Sequence, residues 1–202
     1  MIRNDYLMRL IEKLSQAFFN LVAGKSATPD ETTASDVERL LSESLNANPM
    51  FLFSHLDAVL DDCDPRLAFE LMRLLKLHAE STSSSKAEKS FHYAAKFAVL
   101  ARGSQNEEAA LDALRDLHTR IDLDAEMLEA LMDDELSHGR IATAENLLFE
   151  ILDVEATPER IERANAFFDR LEILDDDALA RGNFSKAEIN EGRQSLNAWV
   201  AK

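Results

Sequence analysis

Cysteine is almost missing from this sequence: Cys63 is the only one in 202 residues. No internal disulfide can form, and no zinc site built on several thiolates is available. Glycine and proline are scarce too, at five and four. The glycines are dispersed, so there is no glycine-rich loop to cradle a phosphate, and the Gly-x-Ser-x-Gly nucleophile motif is absent. Long apolar runs are also lacking. No stretch approaches the ~18 consecutive apolar residues of a membrane span. At the start of the chain, Arg3, Asp5, Arg9, Glu12 and Lys13 break up the uncharged core that a signal peptide needs. A cytoplasmic protein is the expectation, and in that compartment the sequon Asn183-Phe184-Ser185 carries no glycan.

Positive charge is the last shortage. Lys and Arg number 22 against 38 Asp and Glu, a net charge of −16, which counts against nucleic acid as a partner because phosphate binding needs clustered cations. The imbalance is local. Residues 105–180 hold six Arg, no Lys and 22 acids, an excess as large as that of the whole chain, between mildly basic ends.

What is present is a helical pattern. With 46% hydrophobic residues the chain can bury a real core and is not of disordered composition. Leu7, Leu10, Ile11, Leu14, Phe18, Leu21 and Val22 mark one face of an amphipathic helix, and the breaker-rich 24–35 segment ends it. Capping boxes are legible at Ser35/Glu38, Ser85/Glu88, Ser104/Glu107 and Ser185/Glu188. Asn48-Pro49, Asp64-Pro65 and Thr157-Pro158 place a cap before a proline suited to the first helical turn. Gly103, Gly139 and Gly182 each follow a periodic segment, as helix stops do.

These signals predict an all-α protein of about ten antiparallel helices with no sheet. The helices fall near 3–23, 36–46, 49–61, 65–80, 86–102, 105–120, 124–138, 141–153, 158–181 and 184–200. A division follows from the serine run at 81–85. Residues 1–82 form an N-terminal helical region with linker 24–35, and 85–202 form helical hairpins, the two making one continuous body.

A repeat supports the hairpins. Leu128, Leu131, Gly139 and Ala144 recur as Leu171, Leu174, Gly182 and Ala187. The segment from Met127 to Leu152 resembles a tetratricopeptide repeat, with apolar, glycine, small and large apolar residues at Leu128, Leu131, Gly139, Ala144 and Leu148. The 43-residue repeat is longer than that family's ~34, and Glu191 stands where the second copy wants a large apolar residue. The opening Asn4-Asp5-Tyr6-Leu7-Met8-Arg9-Leu10-Ile11-Glu12 also resembles an uncharacterised bacterial family of tetratricopeptide-like proteins. The resemblance implies a short helical solenoid and no assigned activity.

In the same register Glu126, Glu129 and Asp133 match Asp169, Glu172 and Asp176, so all six positions are acidic. Tetratricopeptide folds line their concave groove with this face. The resemblance therefore implies an acidic groove for a basic protein or peptide, in a non-enzymatic interaction or scaffold module. The lysine-free block supplies no basic clamp for a partner's terminal carboxylate.

Two other functions compete with that one. Glu135 and His138 have the spacing of two metal ligands on one helix face, which would serve an enzymatic or metal-binding bundle. No other histidine has a Glu three residues before it, so neither metal nor cofactor is expected. The amphipathic 3–23 helix, with Phe18 and Phe19, could instead join copies of the chain into a structural assembly; its small basic excess argues against a membrane anchor. The remaining motifs are quiet. Asp61, Asp62 and Asp64 surround Cys63 and disfavour its thiolate. The Asp122–Met127 stretch mimics a calcium loop but has Met127 where the glycine belongs. Five histidines on separate predicted helices suggest no catalytic triad, and no pattern argues for an enzyme.

Overall fold

A computed structural model describes residues 2–23, 30–82 and 85–200. Among the described residues every regular element is helical. The elements are α1 (Ile2–Ala23), α2 (Glu31–Leu45), a 3-10 turn (Pro49–Phe51), α3 (Leu52–Leu60), α4 (Pro65–Ser81), α5 (Lys86–Leu100) and α6 (Glu107–His118). They are followed by α7 (Ala125–Ser137), α8 (Ile141–Val154), α9 (Pro158–Glu172), α10 (Asp176–Arg181) and α11 (Lys186–Val200). No described helix is long and apolar enough to cross a membrane.

The chain divides into two compact units after Asp122, not at the serine run. The first unit is organised around α4, which carries buried residues on nearly every face, from Leu67 to Ala79. A helix buried on nearly every side needs cover all round, and α1, α2 and α5 supply it. The α4–α5 pair is the most extensive in the unit. On α5 the buried positions are mostly small, Ala94, Ala95 and Ala98 beside Phe97, and small side chains let two helix axes approach closely. That pairing is why α5 belongs with the N-terminal helices.

In the second unit α7 and α8 form a hairpin around Gly139, whose φ is +71°. Leu128, Leu131, Ala144 and Leu148 are buried in it, each leucine contributing roughly 1.5–3 kcal/mol by leaving water. Helix α9 packs on α8 and α11. The second repeat departs from the first. The predicted 158–181 helix ends at Glu172, and a new helix starts where the Asp175 carboxylate accepts from the Ala178 N–H at 2.7 Å. Leu174 therefore lies between helices. Gly182 has φ −84°, and its neighbour Asn183 takes the left-handed conformation at φ +54°. Glycine is needed at 182 for space, since a Cβ there would stand 2.5 Å from Ile141 Cδ1 and 2.9 Å from the Gly139 carbonyl oxygen.

Helix starts followed the strongest local acceptor. All three cap-proline pairs cap as expected: the Asn48, Asp64 and Thr157 side chains accept from the N–H groups of Met50, Arg66 and Arg160. At Ser185/Glu188 the serine caps the helix start, with the Glu188 N–H donating to Ser185 Oγ at 3.3 Å and that hydroxyl donating to the Glu188 carboxylate at 2.6 Å. The other three boxes do not form. Helix α2 starts five residues early because Asp30 and Thr33 cap it reciprocally, leaving Glu38 free for another task. Neither Ser85 nor Asn106 makes a side-chain cap bond; Glu107 instead accepts from the Gly103 N–H at 3.0 Å.

Candidate functional site

Five of the six stripe acids are paired with cations of their own unit. In α7, Glu129 accepts from Arg160 Nε at 2.7 Å and from Arg163 Nη1 at 2.8 Å, while Arg163 Nη2 reaches Asp133. Both arginines stand on the first turns of α9. One helix further on, Arg193 of α11 binds Asp169 and, at 2.8 Å, Glu172 of α9. Lys186 lies 3.4 Å from Asp176. Among the described residues Glu126 alone of the six has no ion-pair partner. The second stripe is also split between α9 and α10. Acids on one helix and arginines on the next thus form a charged seam running from α7 through α9 to α11. The sequence reading missed it because each arginine comes from 21 to 34 residues away.

Beside this seam a slot of ≈ 340 Å³ opens between α7 and α9. Its lining is mixed: Met132, Leu136, Ala166, Phe167 and Leu171 form an apolar part, and Asp133, Arg163 and Arg170 a charged one. Met132, Phe167 and Leu171 are buried, whereas Arg170 is exposed. Arg170 makes no ion pair among the described residues. Chemically, this is an apolar recess with an uncommitted guanidinium at its mouth.

The Glu135/His138 pair does not converge. Glu135 is buried, 4% exposed, and its carboxylate is held by Arg140, with Arg140 Nη2 at 2.9 Å. His138 is exposed and turns back to the Asp134 carbonyl oxygen, 2.9 Å from Nδ1, near the helix C-terminus. No group of three or more His, Cys, Asp or Glu among the described residues could hold a metal ion. Asp124, from the calcium-like stretch, caps α7 by accepting from the Met127 N–H.

In the first unit the structure does align a Ser–His–carboxylate chain, contrary to the expectation of no triad geometry. Ser90 Oγ of α5 lies 2.7 Å from His78 Nδ1 of α4, and His78 Nε2 lies 3.1 Å from Glu38 Oε1 of α2. Lys86 Nζ reaches the same Glu38 oxygen at 2.6 Å. Burial pulls the His78 pKa down, although Glu38 favours its protonated form. Burial also opposes ionisation of Glu38, but the hydrogen bond and charge of Lys86, helped by His78, outweigh it and lower the carboxyl pKa. A nucleophile has to touch substrate, and the Ser90 side chain is fully buried. These groups pin three helices together.

Helix α1 packs on α4 and α2 within its own unit. Leu14 is fully buried, and the Arg73 guanidinium lies 3.7 Å from the Phe18 ring centroid while pairing with the buried Glu70. Tyr6, Phe19 and Val22 remain at least half exposed. A wide cleft of ≈ 800 Å³ lies between the start of α5 and the turn after α6. Its charges are mixed, Lys89 and Arg120 against Glu88 and Asp122, and Arg120 is tied to Asp116 and Glu80. Cys63 is half-buried, and burial, followed by the Asp64 and Asp62 charges, pushes its thiol up to about 12.

Fold and site together define an all-α protein of helical hairpins, carrying a charged inter-helix seam and an apolar slot. The chain belongs to DUF6483, a family of unknown function whose model matches residues 1–200. Curated proteins and solved structures yield no match.

Proposed function

We propose that this protein is a non-enzymatic protein-interaction module, working in the cytoplasm, whose second unit holds a partner on the α7–α9 face. The tetratricopeptide-like reading of 127–152 belongs to this proposal, supported by the hairpin around Gly139 and the burial of Leu128, Leu131 and Ala144. The observation that carries the function is the slot, an apolar recess of ≈ 340 Å³ at the lower end of the range typical of ligand pockets, roughly 300–1,000 Å³. Its α9 wall is tied to α7 by Arg160 and Arg163 on Glu129, and a pre-organised surface loses less entropy on binding. A basic partner attracted by the stripe acids is not part of this reading, because arginines of α9 and α11 already pair with four of the six.

A photo-crosslinking residue placed at Ala166, which lines the slot, tests the reading in cells of the source organism. A discrete crosslinked species is expected there and not with the same residue at exposed Asn146 of α8. Identical patterns at the two positions, or none at either, would refute it.

A further inference from the structure

We infer that the α7–α9 slot takes an acidic–apolar segment of a partner protein: one bulky apolar side chain seated in the recess, with an adjacent Asp or Glu on Arg170. This rests on the interaction reading above and deepens it by reversing the sign of the partner that the chain's composition implies. The recess has room for one or two apolar side chains, and Met132, Leu136, Phe167 and Leu171 supply its apolar wall beside the charged Asp133, Arg163 and Arg170. The polar groups then decide what may accompany the anchor.

Asp133 and Arg163 are already bound to each other, and Arg163 is bound to Glu129 as well. A partner cation would have to displace Arg163 from Asp133, whereas a partner carboxylate displaces nothing at Arg170. The planar fork of arginine binds carboxylate through two parallel hydrogen bonds, which fixes where the partner's acid has to stand beside the anchor. The net charge of −16 works against an acidic ligand at a distance. Salt screens that field beyond about 8 Å at physiological ionic strength, so the contact pair sets the preference.

The test uses the full chain, isotopically labelled, and three blocked hexapeptides, Ac-Gly-Ser-Phe-X-Ser-Gly-NH2, in which X is Glu, Gln or Lys. Saturable chemical-shift changes are expected at Leu136, Ala166 and Phe167. The Glu peptide should bind about three- to fivefold more tightly than the Lys peptide, as one exposed ion pair allows, with Gln between them. Arg170→Glu should reverse the order. Arg170 is exposed and holds no other ion pair, so this variant keeps the fold, and a circular dichroism spectrum checks that. Equal or tighter binding of the Lys peptide to the unaltered protein, or no saturable shift with any peptide, overturns the proposal. A slot-specific crosslink at Ala166 in the face of that result would leave the interaction reading standing and sink only the acidic–apolar partner.

Discussion

Ser90 Oγ lies 2.7 Å from His78 Nδ1, and neither residue is more than 2% exposed. With Glu38 accepting at Nε2, the neutral ring carries its proton on Nε2, so Nδ1 accepts from the serine hydroxyl. Every polar atom of the imidazole then has a partner, which is the condition for burying it at low cost. Ser90→Ala removes the donor and strands Nδ1. The expected loss is about 1–3 kcal/mol, the usual penalty for an unpaired buried polar atom, read as a lower urea midpoint for the first unit at pH 7.5. A midpoint unchanged from that of the unaltered protein would show that the hydrogen bond contributes nothing.

The same chain makes stability depend on pH in two stages. Burial lowers the folded-state pKa of His78 below its ordinary 6.5, so the folded protein prefers the neutral ring. Its contribution is complete above pH 6.5 and is lost as the pH falls from there through the folded value. Glu38 is also lowered, from 4.5, so its contribution is complete above 4.5 and disappears only at lower pH. His78→Gln keeps a donor and an acceptor but cannot titrate. The variant should flatten the stability profile just below pH 6.5 and leave the loss below 4.5. A slope below 6.5 equal to that of the unaltered protein would assign the first stage to another group.

What could be read from the sequence, and what could not, divides by range. The caps at Asn48, Asp64 and Thr157 were legible because donor and acceptor lie within three residues of each other. The helical class and the Gly139 hairpin were legible for the same reason. Asp30 was missed because two capping patterns, Asp30/Thr33 and Ser35/Glu38, compete at one helix start, and the winner left Glu38 to reach His78, 40 residues on. The acidic stripe was legible as a row of positions on α7. Its neutralisation was not, because Arg163 reaches Glu129 only through the packing of α9. Nothing in the periodicity of one helix tells which charges the next helix brings.

Two glycines of the repeat should fail for different reasons. Gly139 has φ +71° and open space around it, so Gly139→Ala costs only backbone strain, about 1–2 kcal/mol. Gly182 has an ordinary φ and no space. Gly182→Ala drives a Cβ against Ile141 Cδ1 and the Gly139 carbonyl, and should destabilise the second unit by about 1–3 kcal/mol through overpacking. Ile141→Val in the same chain removes Cδ1 and should recover part of the loss, while doing nothing for Gly139→Ala. Thermal unfolding of the four variants separates the cases, and rescue of Gly139→Ala by Ile141→Val would contradict the assignment.

Cys63 gives a chemical readout of the loop between α3 and α4. Its thiol, raised from 9.0 to about 12 by burial and then by the charges of Asp64 and Asp62, is ionised about a thousandfold less at neutral pH than an unhindered thiol. Alkylation by iodoacetamide proceeds through the thiolate, so the folded protein at pH 7.5 should react about that much more slowly than the chain unfolded in urea. Asp62→Asn removes only the last-named of these causes, leaving burial and the Asp64 carboxylate in place, so its reaction should speed up modestly. Asp64 also caps α4 and binds Arg66 at 2.8 Å, so Asp64→Asn would confound loop chemistry with helix stability and is the poorer probe. A folded-state rate matching the unfolded one would mean that the thiol is neither buried nor under the influence of the acids around it.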